Sequence, residues 1–388
     1  MWHALAIHTE EEIVKKKILG IIICMLLIIT VLPVSAITLS EKTSYPLTKG
    51  NTLYVGGSGP GNYSRIQDAI NDAGDGDTIF VYDDSSPYYE NIIIEKSITL
   101  MGEDRETTNI LGDESMDGVI VNISANDVSI SGFTIQPNTG SPAGIIVCKN
   151  YTSPDYWNIA IIQNVTIFHN IIKNTGWPGI FGIRLNYGNI YGNNIDDCSD
   201  GILLFISSNN TITNNVIINC PGNGIVIDGI WGPYRVMNYR NPVPKNNLIS
   251  QNTILSNRWG IKLNSGPVNT RISDNIIMGN HEIGIQVFQA SKTEISRNNF
   301  IDNVEDAYFD VVCVIRYPQF TQNSWDNNYW GEPKKTPVRI NGDFYFLPFP
   351  RIPIDIVFEK FSLTQYELPW IAFDWHPAQE PYDTPGVR

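Results

Sequence analysis

Isoleucine keeps time along the middle of this chain. Ile167, Ile190, Ile212, Ile249, Ile272 and Ile295 each stand three residues before an asparagine, namely Asn170, Asn193, Asn215, Asn252, Asn275 and Asn298. The steps between those asparagines are 23, 22, 37, 23 and 23 residues. A glycine column keeps similar time through Gly144, Gly182, Gly201, Gly224, Gly260 and Gly284. Between these marks, short runs alternate β-branched and polar residues and are broken by Asn, Gly and Ser. Such runs predict strands of roughly 3–5 residues joined by turns, with no room for a helix between them. A repeat of this length is too short for a compact domain and suits one coil of a solenoid. The pattern predicts an all-β chain, a right-handed parallel β-helix in which residues one period apart stack on each other.

Four segments follow from the pattern. Lys15, Lys16 and Lys17 precede the apolar run Ile18 to Leu32, which is followed by Pro33 to Ala36. That order is the order of a secretory signal, so residues 1–36 are expected to be cleaved after Ala36. An uncleaved anchor is the competing reading, since the run is short for a span of about 20 residues. The stretch before Lys15 is long for a signal, which points to a start codon further downstream. Residues 37–78 form a lead-in and N-terminal cap: Ser64 and Gln67 have capping-box spacing, and Ile66, Ala69, Ile70 and Ala73 follow at helical intervals. Residues 79–324 carry the β-helix. Residues 325–388 are dense in aromatics and Pro, from Trp325 through Trp330 to Trp370 and Trp375. They either close the far end of the solenoid or offer a ligand platform.

Charge narrows the partners. The net charge is -14, and it is unchanged without residues 1–36, because Glu10, Glu11 and Glu12 cancel the three lysines. Such a surface repels nucleic acid and anionic lipid, and it disfavours polyuronates. No membrane contact beyond the signal or anchor is expected, and the chain is read as a monomer. Export, to the cell surface or beyond it, makes disulfides available. Cys198 and Cys220 precede Gly201 and Gly224 by three and four residues, so they occupy nearly the same turn of adjacent coils, about 4.8 Å apart. They are expected either to be bonded or close enough to bond, or to stack as two buried thiols. Acceptor sequons at Asn62, Asn122, Asn150, Asn164 and Asn209 permit glycosylation.

Beyond the repeat, Thr52 to Val55, Ile66 to Ile70, Gly76 to Ile79, Tyr89 to Ile92 and Ile98 to Gly102 resemble the opening of secreted pectin-lyase-like β-helix proteins. The Asn-X-Ile and Gly-Ile repeats are similar to those of NosD-like periplasmic and archaeal surface proteins, and Asn327 to Gly331 resembles the ending of archaeal members. The resemblance spans about residues 52–331. It implies the fold, which hosts lyases, hydrolases, esterases, adhesins and proteins without activity. The NosD name implies copper handling, which needs soft or imidazole ligands. His169, His281 and His376 lie on separate segments, and Met101, Met116, Met237 and Met278 are scattered. No copper site is expected.

Stacking converts spacing into neighbours. The outward positions of the Gly-Ile strands are read as one column of Arg184, Leu204, Val226, Lys262 and Gln286, beside another of Asn186, Phe205, Asp228, Asn264 and Phe288. Asp228, Lys262 and Asn264 should then lie within roughly 5–8 Å of each other. They form either a sugar-contacting face or an ordinary solvated sheet face. Asp228, Lys262 and Arg184 are the candidate catalytic groups. Two long insertions, residues 149–160 and 229–245, each begin just after a Gly-Ile strand and should emerge from one edge, about 14 Å apart. They carry Tyr151, Tyr156 and Trp157, and Trp231, Tyr234 and Tyr239, while Trp177 lies in a smaller insertion between them. These rings either flank a trough for an extended glycan, with Asp228, Asn264 and Gln286 bonding its hydroxyls, or pack on the wall to order the loops.

Catalysis has less support. Glycoside hydrolysis needs two carboxylates about 5–9.5 Å apart, and Asp228 has none at the equivalent place in either neighbouring coil. Asp274 sits in another column, beside Gln251 and Arg297. The acidic turn Asp113 to Asp117 could take calcium but lacks a calcium-loop spacing, so no cofactor is assigned. The sequence thus predicts an exported surface protein that binds a polysaccharide or glycoprotein glycan or serves in adhesion. A polysaccharide lyase or hydrolase is the alternative, and a structural envelope component is the third reading.

Overall fold

The structure, a computed structural model, describes residues 50–112, 118–150, 159–229, 243–314, 322–347 and 366–383; of residues 312–314, 344–347 and 366–368 it describes the backbone alone. The chain winds as a parallel β-helix, with each coil adding a strand to three ladders. The first ladder runs from Ile92–Ile94 through Ile180–Ile183, Asn223–Asp228, Trp259–Asn264 and Ile283–Phe288 to Glu305–Val314 and Val338–Leu347. The second runs from Thr52–Val55 through Thr166–Phe168 and Leu248–Ser250 to Ser324–Asp326. The third is a nine-stranded sheet from Asn109–Gly112 to Tyr329–Trp330.

The timing isoleucines fall in register on the second ladder, as in Ile190 on Ile212 and Ile249 on Ile272. Every one of the six is buried. A strand residue pointing inward meets its equivalents above and below, and burying each isoleucine contributes about 1.5–3 kcal/mol. The asparagine column lies just beyond it. Each side-chain oxygen accepts from the backbone N–H and Nδ2 of the asparagine one coil earlier, as Asn275 accepts from Asn252 at 3.0 Å for both. Each Nδ2 also donates to a carbonyl of the preceding coil, as Asn252 does to Ile212. The column ends on Asn328, whose N–H and Nδ2 donate to the fully buried carboxylate of Asp374. A second ladder of the same kind runs through Asn257, Asn280 and Asn303.

Glycine is required where coils cross closely. A Cβ on Gly224 or Gly260 would come within 2.6 or 2.4 Å of the carbonyl oxygen of the next glycine in the column. This column runs through Gly144, Gly179, Gly201, Gly224, Gly260 and Gly284 and ends at Asp306. Gly179 therefore takes the place expected of Gly182, which pairs with Val147 and Leu204 at a core position.

One further expectation is corrected, and for the cysteines the second of the two readings, buried thiols in one turn, is the one found. Ser64 does not cap the helix Ile66–Asp72, whose N-cap is Arg65 with no side-chain bond. The buried carboxylate of Glu90, one coil on, accepts from the N–H groups of Ile66 and Gln67 instead. A charged acceptor at a helix N-terminus binds more strongly than a hydroxyl. Cys198 and Cys220 are both free and buried. They occupy the second asparagine ladder, where the Cys220 N–H donates to Asn257. The Cys198 thiol lies between the carbonyl of Asp196 in its own coil and that of Ile172 in the preceding one, and the Cys220 thiol lies by the carbonyl of Ile218.

Candidate functional site

The outer surface of the first ladder is the face that changes most along the molecule. The register sets one outward column as Ile146, Phe181, Leu203, Val226, Lys262, Gln286, Tyr308 and Asn341. A second column reads Ile183, Phe205, Asp228, Asn264, Phe288, Asp310 and Asp343. At the edge, Asn223, Trp259, Ile283 and Glu305 stack in a third. From Ile146 onward the face begins apolar and ends polar, while Ile93 and Asn122 precede Ile146 in the first column.

Its apolar end is covered. Ile146, Ile183 and Val226 point away from the core, yet they are 2%, 1% and 4% exposed. Ile146 and Ile183 cluster with Val119, Ala143, Cys148 and Ile159, against Phe181 and Phe205. Ile159 comes from the described end of the first long insertion. Both insertions leave the ends of first-ladder strands, after Val147 and after Asp228, three coils apart. Tyr151, Tyr156, Trp157, Trp231, Tyr234 and Tyr239 lie outside the described residues, as do Asp117 and the rest of its acidic turn. Trp177 is exposed at the strand entrance, its carbonyl accepting from the Thr175 hydroxyl.

The polar end brings together four of the expected residues. Asp228 pairs in register with Asn264, and Lys262 with Gln286. Burial pushes the Asp228 carboxyl above its ordinary range, while the neighbouring polar groups of Ser265, Asn264 and Gly229, and the charge of Lys262, hold it back. Burial likewise pulls the Lys262 ammonium down, against Asp228, Asp200 and Glu282. The Lys262 nitrogen sits 4.3 Å from the centre of the Trp259 ring, and the Arg258 guanidinium is also 4.3 Å from it. Asp228 Oδ1 and Gln286 Oε1 are buried without a hydrogen-bond partner.

Arg184 does not belong to this face. Its backbone is left-handed, φ 53°, and so are those of Ile206 (51°), Ser265 (55°) and Gln289 (54°) in the same corner of other coils. It turns the chain off the first ladder, and Asn186 beyond it pairs with Gln163 in a separate short sheet. Leu204 points into the core and is fully buried. Both misplacements follow from taking Gly182 for Gly179 or from shifting a strand by one residue, which reverses its faces.

Residues not anticipated from the sequence complete the polar end. Asp310 and Asp343 pair in register on adjacent strands. The Tyr308 hydroxyl donates to Asp343, and Glu305, its carboxyl raised by burial, bonds Asn341. Asp306 occupies the glycine position there, hiding the repeat, but the alternation of inward Ala307, Phe309 and Val311 was available to reveal the strand.

Solved structures share this architecture. The A-module of a mannuronan C-5 epimerase from Azotobacter vinelandii matches with TM-score 0.51 at 16% identity, over 69% of this chain and 82% of that one. A pectate lyase matches with TM-score 0.51 at 13% identity, over 74% and 81%. A polygalacturonase from Erwinia carotovora matches with TM-score 0.51 at 12% identity, over 79% and 94%. No curated protein matches the chain. The family model described as "Periplasmic copper-binding protein (NosD)" matches residues 70–239 and 163–346.

Among the described residues, the donors do not fit a copper ion. His169 lies at a corner against Phe168 and Tyr191, His281 is exposed on a turn, and His376 bonds Asp326 at 2.7 Å. Burial raises the thiols of Cys148, Cys198 (to about 11) and Cys220, which favours the neutral, poorly ligating form. Among the described residues, no three His, Cys, Asp or Glu side chains converge. With its repeats matched across more than half its length, on the β-helix they encode, the chain belongs to the NosD family.

Proposed function

We propose that this is an extracytoplasmic glycan-binding protein whose contact surface is the polar end of the first ladder's outer face. One observation carries the reading. Asp228 Oδ1 and Gln286 Oε1 are buried acceptors without partners, on adjacent columns of a face otherwise built from Asn264, Lys262 and Tyr308. Leaving a buried acceptor unsatisfied costs about 1–3 kcal/mol, and a rotation of these half-buried side chains toward the surface would let sugar hydroxyls supply the missing donors. The signal-like N-terminus and the periplasmic description of the family support export. The three similar structures are named for enzymes of mannuronan, pectate and polygalacturonate chemistry, which supports a polysaccharide as the partner class.

Titration calorimetry of the full chain against soluble oligosaccharides tests this. A ligand should bind, and Gln286→Ala or Asp228→Ala should weaken it about tenfold or more, the loss of one or two hydrogen bonds. Binding that is indifferent to both substitutions would remove the face from consideration.

A second reading has its own observation. Asp310 and Asp343 pair in register on adjacent strands, which are about 4.8 Å apart, and glycoside hydrolysis uses two neighbouring carboxylates. A hydrolase or lyase would shorten a polysaccharide on incubation, and Asp343→Asn would stop it. Unchanged chain lengths across neutral and acidic polysaccharides would leave binding alone.

A further inference from the structure

We propose that the outer face of the second ladder is a separate binding surface for an uncharged glycan. The proposal goes beyond the first-ladder reading and does not depend on it. Two outward columns carry it. In the first, Thr52, Thr78, Thr99, Ser129, Thr166, Asn189 and Thr211 lie in register. The second places Tyr54, Phe80, Met101, Ser131, Phe168, Tyr191 and Thr213 beside them in the same coils. From the first coil to the last, the face rises about 29 Å at about 4.8 Å a step. Neither column holds a charge over that length, in a chain of net charge -14.

These side chains are reachable and uncommitted. Tyr54 and Met101 are 43% and 36% exposed, and of both columns Ser131 alone is buried. Among the described residues, no side chain of the first column hydrogen-bonds another protein group. Each hydroxyl can donate and accept, and so can the Asn189 amide. The second column lays an apolar strip along that row. Phe168 and Tyr191 stack with centroids 5.0 Å apart and planes 17° from parallel, and Tyr82 joins Tyr54 and Phe80 at 6.0 and 5.0 Å. A sugar chain presents C–H and O–H groups side by side, and small-molecule sites combine an aromatic lining with a few placed polar groups.

The nearest charges stand at the corners. Asp77 and Asp127 lie on one side, and Asp83, Glu103, Asp104 and Arg105 on the other, with His169. Asp77 accepts from the Asn51 N–H, Asp127 from the Asn164 amide and Asp83 from the Thr107 hydroxyl, while Arg105 lies 3.3 Å from Glu106. Past Thr211 the columns change character. Arg271 pairs with Glu294 in the first at 3.0 Å, and Asp326 enters the second. The uncharged stretch is thus a bounded patch of the face. A nucleic acid would need cations that its columns lack, whereas an uncharged sugar meets no like charge on them.

Calorimetry of the full chain with cellohexaose, mannohexaose and a galacturonate hexamer tests this. A neutral hexamer should bind. Thr99→Val with Thr166→Val and Thr211→Val removes a hydroxyl at each place and keeps the β-branched shape that suits a strand. That variant should melt with the parent and bind the neutral hexamer about tenfold or more weakly, the loss of its hydrogen bonds. A triple variant that binds it as tightly as the parent would overturn the proposal. If Gln286→Ala weakens the same binding instead, the sugar sits on the first ladder and that reading stands alone. Tighter binding of the galacturonate, lost in the triple variant, would contradict the uncharged class. A parent dimer in sedimentation that the triple variant breaks would make the face an interface between copies and overturn the proposal. No binding of either neutral hexamer would remove it, while a galacturonate held through Gln286 would still support the first ladder.

Discussion

The two ends of the first ladder's outer face share one backbone and carry opposite chemistry. From Ile146 to Val226 the outward residues are apolar; Ile146, Ile183 and Val226 are covered, and Phe181, Leu203 and Phe205 are half-buried. From Asp228 to Asp343 they are charged, amide or aromatic, and two of their oxygens lack partners. Inside, nothing changes: Ile190 and Ile272 occupy the same position in register, as do Asn193 and Asn275. The interior is specified by stacking on itself, so each coil constrains the next. The outer face has no such constraint, and there the sequence is free to diverge from one end to the other.

This difference can be broken most severely from within. Asn252→Ala would strand the N–H of Asn215 and remove the side-chain donor from the carbonyl of Ile212, while the Asn215 Nδ2 keeps the carbonyls of Ile190 and Thr213. These losses should cost roughly 3–5 kcal/mol, seen as a large fall in the denaturation midpoint. Next comes the covered end of the face. Ile183→Ala should cost about 2–4 kcal/mol, as for a core isoleucine, because the site is closed. Gln286→Ala at the other end should leave the midpoint nearly unchanged, and equal losses at both would erase the distinction between the two ends.

The carboxylate that ends the asparagine column gives an intermediate effect. Asp374 accepts from Asn328, from the Trp330 indole and from the His376 N–H. Asp374→Asn replaces one acceptor oxygen with a donor and should cost about 1–3 kcal/mol, read as earlier melting of the C-terminal coils in hydrogen exchange.

The smallest effect is a pH dependence. The folded Asp228 carboxyl is raised above its unfolded value by burial. Its neutral form is favoured by folding, so this contribution is fully present below the unfolded pKa and is lost as pH rises through the folded one. Asp228→Asn should thus gain stability relative to the parent between acid and neutral pH, by about 1 kcal/mol or less since the group is partly solvated. A parent whose stability rises more steeply than the variant over that range would contradict the assignment.

How far the sequence revealed all this follows the same division. The coils between Asn170 and Asn298 were legible because Ile and Asn must recur where coils stack. Gly182 misled the reading because the close crossing needs glycine at Gly179, three residues earlier, and both are glycines. Arg184 was misplaced with it. Cys198 and Cys220 were correctly set in one turn of adjacent coils, but spacing alone left two readings open, a bond or two stacked buried thiols, and the structure has the thiols free and buried. Asp310 and Asp343 escaped notice because Asp306 and the longer last strands break the repeat.

The most direct measurement compares binding and folding in one variant. Asp228→Asn combined with Gln286→Ala should lose affinity in calorimetry for the oligosaccharide bound on the first ladder while melting within a few degrees of the parent. A double variant that binds as tightly as the parent, or that loses binding only because it no longer folds, would contradict the account.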